Sequence, residues 1–111
     1  RILGDDDRPV PAGVPGEIVG LSRFVMNEYH GRPDATRETT WTDERGRTWL
    51  RTGDIGQLDE DGYLYIVDRK KDMILSGGQN VYPADLEAVL CRHPAVFDVA
   101  VIGIPHPQWG E

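Results

Sequence analysis

The chain has 111 residues, 39% hydrophobic and 28% charged, a composition typical of a globular protein with one domain or two small lobes. Its net charge of −7 argues against nucleic acid and against an anionic membrane surface as partners, because both attract basic patches. No apolar run approaches the ~18 residues of a membrane span, and no stretch resembles a secretory signal.

Cysteine and histidine usage limits the chemistry that the chain can carry out by itself. Cys91 is the only cysteine, so neither a disulfide nor a cysteine-based metal site can form within the chain, as is usual in a reducing cytoplasm. We expect Cys91 to be a buried, unreactive thiol on a helix, since free cysteines are among the most buried residues. His30, His93 and His106 stand apart in loops and form no metal-binding pattern.

The first forty residues hold few strand or helix signals. Gly, Pro and Asp dominate residues 1–15, which predicts a loop. Short apolar runs predict strands at residues 16–20 and 24–26. Residues 30–40 lack apolar periodicity, so we expect a loop or a single helical turn there.

A meander of antiparallel strands is predicted in the middle of the chain. Trp41 and Trp49 flank a turn at residues 45–46, which indicates a hairpin and favours a core position for both rings. The run Asp-Glu-Asp-Gly at residues 59–62 is a second turn signal, because an Asp-Gly pair supplies the positive φ of tight hairpins. A β-rich strand at residues 63–67 follows it.

The last third of the chain has a different pattern. Charged residues 68–72 separate two apolar runs, and a short strand at 73–75 and a flexible loop at 76–80 come next. An amphipathic helix is predicted from residue 83 to about residue 92, since apolar side chains recur at helical spacing after a proline. The apolar run at residues 96–104 predicts a buried strand.

This change in pattern predicts an α+β chain in two parts. Residues 1–67 form a distorted antiparallel β lobe, and residues 73–111 begin a compact domain with a small sheet and at least one helix. The charged residues 68–72 form the joint between the two parts.

Two long motifs resemble the adenylate-forming superfamily, which includes acyl-CoA synthetases, firefly luciferase and the adenylation domains of peptide synthetases. The motifs are RTGD at residues 51–54 and GYLYIVDRKKDMILSGGQNVYPADLE at residues 62–87. Their order and spacing, together with Gly-Glu-Ile at residues 16–18, extend the resemblance over most of the chain. On this resemblance, residues 1–67 are the end of the large N-terminal domain, residues 68–72 are the hinge, and residues 73–111 are the start of the small mobile C-terminal domain.

The resemblance implies a reaction in two steps. Such enzymes use ATP and Mg²⁺ to convert a carboxylic acid into an acyl-adenylate, and the thiol of coenzyme A then displaces AMP. The implied partners are therefore a small-molecule carboxylic acid, ATP and coenzyme A. Fatty, aromatic and short acids all remain open as substrates.

Two charged residues are implied to bind the nucleotide. Asp54 matches the aspartate that accepts hydrogen bonds from the ribose hydroxyls, although Gly-Asp by itself is also common turn chemistry. Arg69 matches an arginine that contacts ribose or phosphate oxygens, for which a permanently charged guanidinium is suited. A solvated surface charge is the alternative for Arg69.

Four further residues are assigned by the same motifs. Ile66 matches a position near the adenine ring, with a core strand residue as the alternative. Lys71 matches the hinge residue, which absorbs the backbone rotation between two domain orientations, with a surface lysine as the alternative. Gly77 and Gly78 match a loop that lines the pantetheine tunnel of coenzyme A, with an ordinary turn as the alternative.

Several family features are missing from these residues. The sequence has no Gly-rich phosphate loop, no matching magnesium-binding glutamate and no Gly-Lys catalytic segment. The chain begins at Arg1 and stops at Glu111 after a Pro-rich turn, so we expect a truncated piece of a larger enzyme. No catalytic residue is assigned in it, and we predict that it is inactive alone.

Two other functions stay open. A peptide-synthetase adenylation domain that loads a carrier protein is one, although its usual Arg-Gly-x-Arg-Ile-Glu-Leu loop is replaced here by the sequence at residues 77–87. A small non-catalytic interaction module with exposed sheet edges is the other.

Overall fold

The computed structural model describes residues 1–111. The chain forms two compact units, Arg1–Ile66 and Val67–Glu111. The architecture is α+β with antiparallel strand pairs, which confirms the predicted fold class. Neither helix has the length and apolar character that crossing a bilayer requires. The assignment of the chain to a large domain, a hinge and a small domain stays a prediction.

The first unit is built on a five-stranded antiparallel sheet. The sheet has the order β1-β2-β4-β3, and β5 also pairs with the long central strand β4. One short helix, α1 (Pro33–Glu38), precedes β3. The strands are β1 (Ile2–Leu3), β2 (Gly16–Gly20), β3 (Thr40–Thr42), β4 (Thr48–Leu58) and β5 (Leu64–Arg69), of which β5 ends in the second unit.

The tryptophan hairpin forms as the sequence predicts. Trp41 pairs with Trp49 across β3 and β4, and their rings meet edge to face with centroids 6.1 Å apart. The turn is held by Asp43, whose carboxylate accepts hydrogen bonds from the backbone N–H groups of Arg45 and Arg47 at 3.0 and 2.9 Å. The same carboxylate accepts the indole N–H of Trp49 at 3.0 Å, so one acidic side chain fixes both the turn and the ring.

A small apolar core lies on one face of this sheet. Leu3, Val19 and Trp49 form the buried cluster, and Trp41 packs against it. Leu3 comes from β1, a strand that pairs only with β2 and was not predicted. A strand of two residues is too short to show an apolar pattern. Its pairing partners, Glu17 and Ile18, lie far along the chain, so no local signal predicts it.

The second unit contains a small hairpin and a helix. Strands β6 (Ile74–Ser76) and β7 (Gln79–Val81) pair through a two-residue turn of Gly77 and Gly78. Both glycines have positive φ, at 60° and 80°, which is the backbone that tight antiparallel hairpins require. The flexible loop predicted at residues 76–80 is therefore wrong.

Helix α2 (Pro83–Leu90) is started by a carboxylate from outside the helix. Tyr82 at the N-cap position makes no side-chain capping bond. Asp68 takes over this role, because its Oδ2 accepts a hydrogen bond from the backbone N–H of Ala84 at 3.1 Å. The end of β5 is thus tied to the N-terminus of α2.

Two predicted strands are wrong. Residues 24–26 form a turn and a bend instead of a strand, and the Phe24 side chain is 96% exposed. Residues 96–104 form no strand, and Phe97 is fully exposed. Both segments have strand-like composition, but neither finds a partner strand among the 111 residues, and an unpaired strand leaves its backbone groups without hydrogen bonds.

The end of α2 also differs from the prediction. The helix stops at Leu90 instead of Arg92, and Cys91 occupies the C-cap position. Cys91 is exposed, so the predicted burial of its thiol is wrong. The apolar spacing on α2 was recognised correctly, but the helix leaves that face open, as the 61% exposure of Val89 shows.

Candidate functional site

A bulge in β4 holds the aspartate that the sequence singled out. Glu17 pairs with Ile55 and Val19 pairs with Arg51, so residues 52–54 of β4 stand opposite a single residue of β2. Such bulges bend a strand and redirect side chains, and they are frequent beside active sites. Gly53 has a φ of 76°, a conformation that favours glycine, and the RTGD motif is therefore the sequence of this bulge.

The Asp54 carboxylate is available for a ligand. Its residue is partly buried, and no hydrogen bond or ion pair within the chain engages its side-chain oxygens. An ionised carboxylate has about four acceptor positions, which match the two cis hydroxyl donors of a ribose. An aspartate that stabilises a turn accepts a hydrogen bond from a nearby backbone N–H, and the Asp54 carboxylate accepts none. A binding role therefore fits the local geometry better than a turn role.

A partly buried ion-pair network anchors the strand just before the bulge. Arg51 Nη1 lies 2.5 Å from Glu17 Oε2, and Arg51 Nη2 lies 2.6 Å from Asp7 Oδ1. Burial would lower the pKa of Arg51, but the hydrogen bonds to Asp7 and Glu17 outweigh it and raise the pKa. Arg51 therefore serves the architecture of the bulge and stays charged.

Ile66 lies on β5 with its side chain 69% exposed. The interpretation of Ile66 as a core strand residue is therefore wrong. An exposed apolar side chain on a strand can present a flat surface to an aromatic ring, so the adenine assignment stays a prediction.

The charged residues that follow β5 adopt a turn. Arg69 ends the strand, and its carbonyl accepts hydrogen bonds from the N–H groups of Asp72 and Met73 at 3.1 and 3.2 Å. Both Arg69 and Lys71 are exposed, and no acidic side chain pairs with either one. The two cations are thus free to meet an anionic ligand, while their assigned roles stay predictions.

A polar cleft of about 410 Å³ lies beside Lys71 within the second unit. Asp68 and Glu87 contribute carboxylates to it, but each already accepts a backbone hydrogen bond, from Ala84 and Val101 respectively. The cleft therefore combines one lysine with carboxylates that hold the backbone in place.

The glycine pair of the β6–β7 turn has a neighbour that explains its first member. A Cβ atom on Gly77 would come within 3.0 Å of the Trp109 ring, and the Gly77 N–H donates to the Trp109 carbonyl at 2.9 Å. Gly78 has open space around it and needs glycine only for its positive φ. The turn interpretation of both glycines is confirmed, and the tunnel assignment stays a prediction.

The structure sorts the assigned residues by unit. Asp54 and Ile66 belong to the first unit, whereas Arg69, Lys71 and the glycine pair at 77–78 belong to the second. No group of three His, Cys, Asp or Glu side chains could hold a metal ion.

The sequence did not point to two residues that shape the surroundings of the assigned residues, one in each unit. Thr52 hydrogen-bonds on both sides of the bulge, and Asp68 caps α2. A signal for Thr52 was present, because a threonine two residues before a backbone N–H commonly forms a hydroxyl-capped turn. No local signal pointed to Asp68, since its partner Ala84 lies 16 residues away.

Comparison with known proteins identifies the class of this molecule. A family model described as AMP-binding enzyme C-terminal domain matches residues 85–111. Together with relatives and solved structures that extend over nearly the whole chain, this match shows that the chain belongs to the adenylate-forming superfamily that includes the acyl-CoA synthetases.

The similar proteins are ligases of different acids. The chain is 51% identical over 106 residues to long-chain-fatty-acid–CoA ligase FadD13 of Mycobacterium tuberculosis. The alignment covers 96% of this chain and 20% of that protein. It is also 48% identical over 111 residues to feruloyl-CoA synthase of an Amycolatopsis species, an alignment that covers 100% of this chain and 22% of that protein.

A solved structure has the same fold. The o-succinylbenzoate-CoA synthetase MenE of Bacillus subtilis, in complex with its acyl-adenylate intermediate, superposes with a TM-score of 0.79 at 39% identity, covering 98% of this chain and 22% of that one. Another structure of that enzyme contains ATP and a magnesium ion. The chain spans about a fifth of the length of the curated relatives described here.

Proposed function

We propose that this chain is part of an AMP-forming acid–CoA ligase, which activates a carboxylic acid with ATP as an acyl-adenylate and transfers the acyl group to coenzyme A. The observation that carries the proposal is the Asp54 carboxylate, which a strand bulge presents without any partner in the chain. The three similar proteins described above are named as a CoA ligase, a CoA synthase and a CoA synthetase, which supports the reaction class.

In this function Asp54 orients the nucleotide. Its two oxygens accept hydrogen bonds from the 2′ and 3′ hydroxyls of ribose, which fixes the sugar and therefore the direction of the α-phosphate. Charge-assisted hydrogen bonds of this kind are about twice as strong as neutral ones. Ile66, exposed on β5, is proposed to contact the adenine ring.

The residues at and just after the end of β5 have complementary roles. Arg69 donates hydrogen bonds from its unpaired guanidinium to ribose or phosphate oxygens of the nucleotide. Lys71, exposed in the turn that follows, is proposed as the pivot at which the backbone rotates between the two half-reactions. A pivot in a short, exposed turn changes its φ and ψ without disturbing a packed core.

Coenzyme A is proposed to pass the β6–β7 turn. Gly77 and Gly78 carry no side chains at this turn, so a narrow pantetheine arm could approach the backbone closely. The position of Trp109 against Gly77 adds a flat apolar surface at the same place.

These residues supply hydrogen-bonding groups for the nucleotide of ATP but no set of ligands for its magnesium ion. A free acidic acceptor and a free arginine match ribose hydroxyls and phosphate oxygens in charge and hydrogen-bonding type. Magnesium prefers several oxygen ligands, and these 111 residues contain no cluster that supplies them. We therefore assign no magnesium ligand within these residues.

The isolated 111 residues are proposed to be inactive in adenylation. Their sequence contains no Gly-rich loop to hold the phosphates of ATP, and positioning of these phosphates dominates catalysis of adenylyl transfer. Incubation of the chain with ATP, labelled pyrophosphate and a panel of acids should give no exchange above background. Robust exchange would refute this part of the proposal.

The acyl substrate stays open, and so does the acceptor in principle. Similar proteins are named for a long-chain fatty acid, for ferulic acid and for o-succinylbenzoate, so likeness over these residues does not select an acid. A peptide-synthetase type of domain would transfer the acyl group to a carrier protein instead of coenzyme A. A cytoplasmic location is proposed because all the substrates would be found there.

The ligase proposal is tested by the acceptor dependence of AMP release. The full-length protein is incubated with ATP, magnesium and fatty, aromatic or short acids, with and without coenzyme A. We expect at least one acid to give AMP release that depends on coenzyme A and yields the acyl thioester. AMP release that requires a carrier protein would instead identify a peptide-synthetase domain. No ATP turnover with any acid would favour a non-catalytic interaction module.

A further inference from the structure

The bulge that presents Asp54 needs an internal support. Three residues of β4, 52–54, face only Ile18 of β2, so the regular ladder of backbone hydrogen bonds is interrupted here. Backbone N–H and C=O groups that lose their ladder partners need other partners. Without such a partner, the bulge could shift its register and turn the carboxylate of Asp54 away.

Thr52 supplies this support with one hydroxyl. Its Oγ1 donates a hydrogen bond to the Ile18 carbonyl at 3.1 Å, across the two strands. The same Oγ1 accepts a hydrogen bond from the backbone N–H of Asp54 at 3.1 Å, within β4. One atom therefore connects the facing strand to the residue that carries the candidate ribose ligand.

The Asp54 side chain has no support of its own within the chain. The Asp54 side chain makes no hydrogen bond, and Gly53 has nothing within 4 Å of the position that a Cβ would occupy. Gly53 thus allows the backbone to adopt a φ of 76° in the bulge, but it makes no side-chain contact that would stabilise this conformation. The Thr52 hydroxyl is the side-chain group that holds the Asp54 N–H.

We infer that Thr52 is a positioning residue for nucleotide recognition, whose hydroxyl locks the bulge so that Asp54 meets the ribose diol. This inference rests on the proposed function of Asp54. It predicts that loss of the hydroxyl selectively weakens recognition of the sugar, because the acceptor remains but its direction becomes variable. An enzyme that hydrogen-bonds a substrate hydroxyl discriminates strongly against the analogue that lacks it.

The test measures the preference for ATP over 2′-deoxyATP as the ratio of the two kcat/KM values in the full-length protein. Thr52→Val removes the hydroxyl and keeps the shape, and Thr52→Ser is the matched control that keeps the hydroxyl. We expect the wild type to prefer ATP by about tenfold or more. Thr52→Val should reduce this preference by about threefold to tenfold, and Thr52→Ser should stay within about twofold of the wild type.

The ratio of the kcat/KM values for ATP and 2′-deoxyATP distinguishes a positioning role of Thr52 from a general structural role. Both nucleotides are compared on one preparation, so a lower folded fraction or a lower kcat cancels. If Thr52→Val does not fold, Thr52→Ala removes the same hydroxyl and gives the same comparison. An unchanged preference in any folded variant without the hydroxyl would overturn the inference, as would an equal loss in Thr52→Ser.

A parallel variant distinguishes this inference from the proposed function. Asp54→Ala should reduce the preference toward one, since no ribose acceptor remains. If Asp54→Ala keeps the wild-type preference, the ribose role of Asp54 is wrong and the inference fails with it. If Asp54→Ala loses the preference and Thr52→Val does not, the proposed function stands and only the role of Thr52 is overturned.

Discussion

The two units of the chain are stabilised by different means. All six buried hydrophobic side chains lie in the first unit, where the cluster of Leu3, Val19 and Trp49 forms a core. In the second unit Pro83 is the only buried residue, and apolar side chains such as Phe97 are exposed. The first unit therefore depends on burial of apolar surface.

In the second unit, carboxylates accept hydrogen bonds from backbone N–H groups and so connect its elements. Asp68 accepts from Ala84 and Glu87 accepts from Val101, at 3.1 and 2.8 Å. Each such bond contributes on the order of 1 kcal/mol, less than burial of a large side chain. The bulge that carries Asp54 therefore lies in the unit with the apolar core, and the proposed pivot Lys71 lies in the loosely packed unit, as a moving element requires.

We expect the largest difference between the two units when a side chain of the apolar core is truncated. Leu3→Ala removes a side chain that is 1% exposed and should destabilise the first unit by about 2–5 kcal/mol. Leu75→Ala in the second unit is the matched control, and because Leu75 is 50% exposed it should cost less than about 1 kcal/mol. Hydrogen exchange of peptides from each unit in the full-length protein measures both effects. Equal effects would show that the units do not differ as described.

A steric test addresses the sheet of the first unit. A Cβ on Gly56 would lie 2.6 Å from the Tyr65 carbonyl oxygen and 2.8 Å from Ile18 Cδ1, so Gly56→Ala should destabilise the unit by about 1–3 kcal/mol. Gly20→Ala on the neighbouring strand has nothing within 4 Å and should be close to neutral. Urea unfolding of the two variants provides the comparison, and a neutral Gly56→Ala would contradict the tight approach of β4 and β5.

The Asp43 network predicts a pH dependence of stability. Burial alone would raise the pKa of Asp43, but hydrogen bonds from the Arg47 side chain and backbone and from Trp49 hold the pKa well below its usual range. A carboxyl with a lowered folded pKa stabilises the protein above its unfolded pKa of about 4, and this stability is lost as the pH falls below that value.

Asp43→Asn should therefore lower the melting temperature at pH 7. The difference from the wild type should shrink as the pH is lowered from about 4, because the wild-type carboxyl loses its charge. Thermal unfolding at a series of pH values measures this difference. A difference that grows on acidification would contradict the direction of the pKa shift.

The smallest effect is expected at the helix cap of the second unit. Asp68→Ala removes the acceptor for the Ala84 N–H and should reduce the stability of α2 by about 0.5–2 kcal/mol. Asp85→Ala, in the first turn of the same helix, removes a charge that makes no capping bond and should cost less. Exchange rates of the α2 amides report on both, and equal rates in the two variants would argue against the cap.

The parts of the fold that sequence predicted are those with local signals. The Trp41–Trp49 hairpin and the start of α2 at Pro83 follow from turn residues and periodicity within a few positions. The strands predicted at residues 24–26 and 96–104 failed because strand formation needs a partner, which composition does not reveal. The family motif identified Asp54, but the bulge that presents it depends on the non-local pairing with β2.

The central claim is that Asp54 binds the sugar of ATP, and the apparent KM for ATP in pyrophosphate exchange tests it most directly. In the full-length protein, Asp54→Ala should raise this KM by about tenfold to a hundredfold, since charge-assisted hydrogen bonds are lost. Asp61→Ala, at an exposed turn aspartate of the same unit, should leave it unchanged. A normal KM in Asp54→Ala would contradict the account.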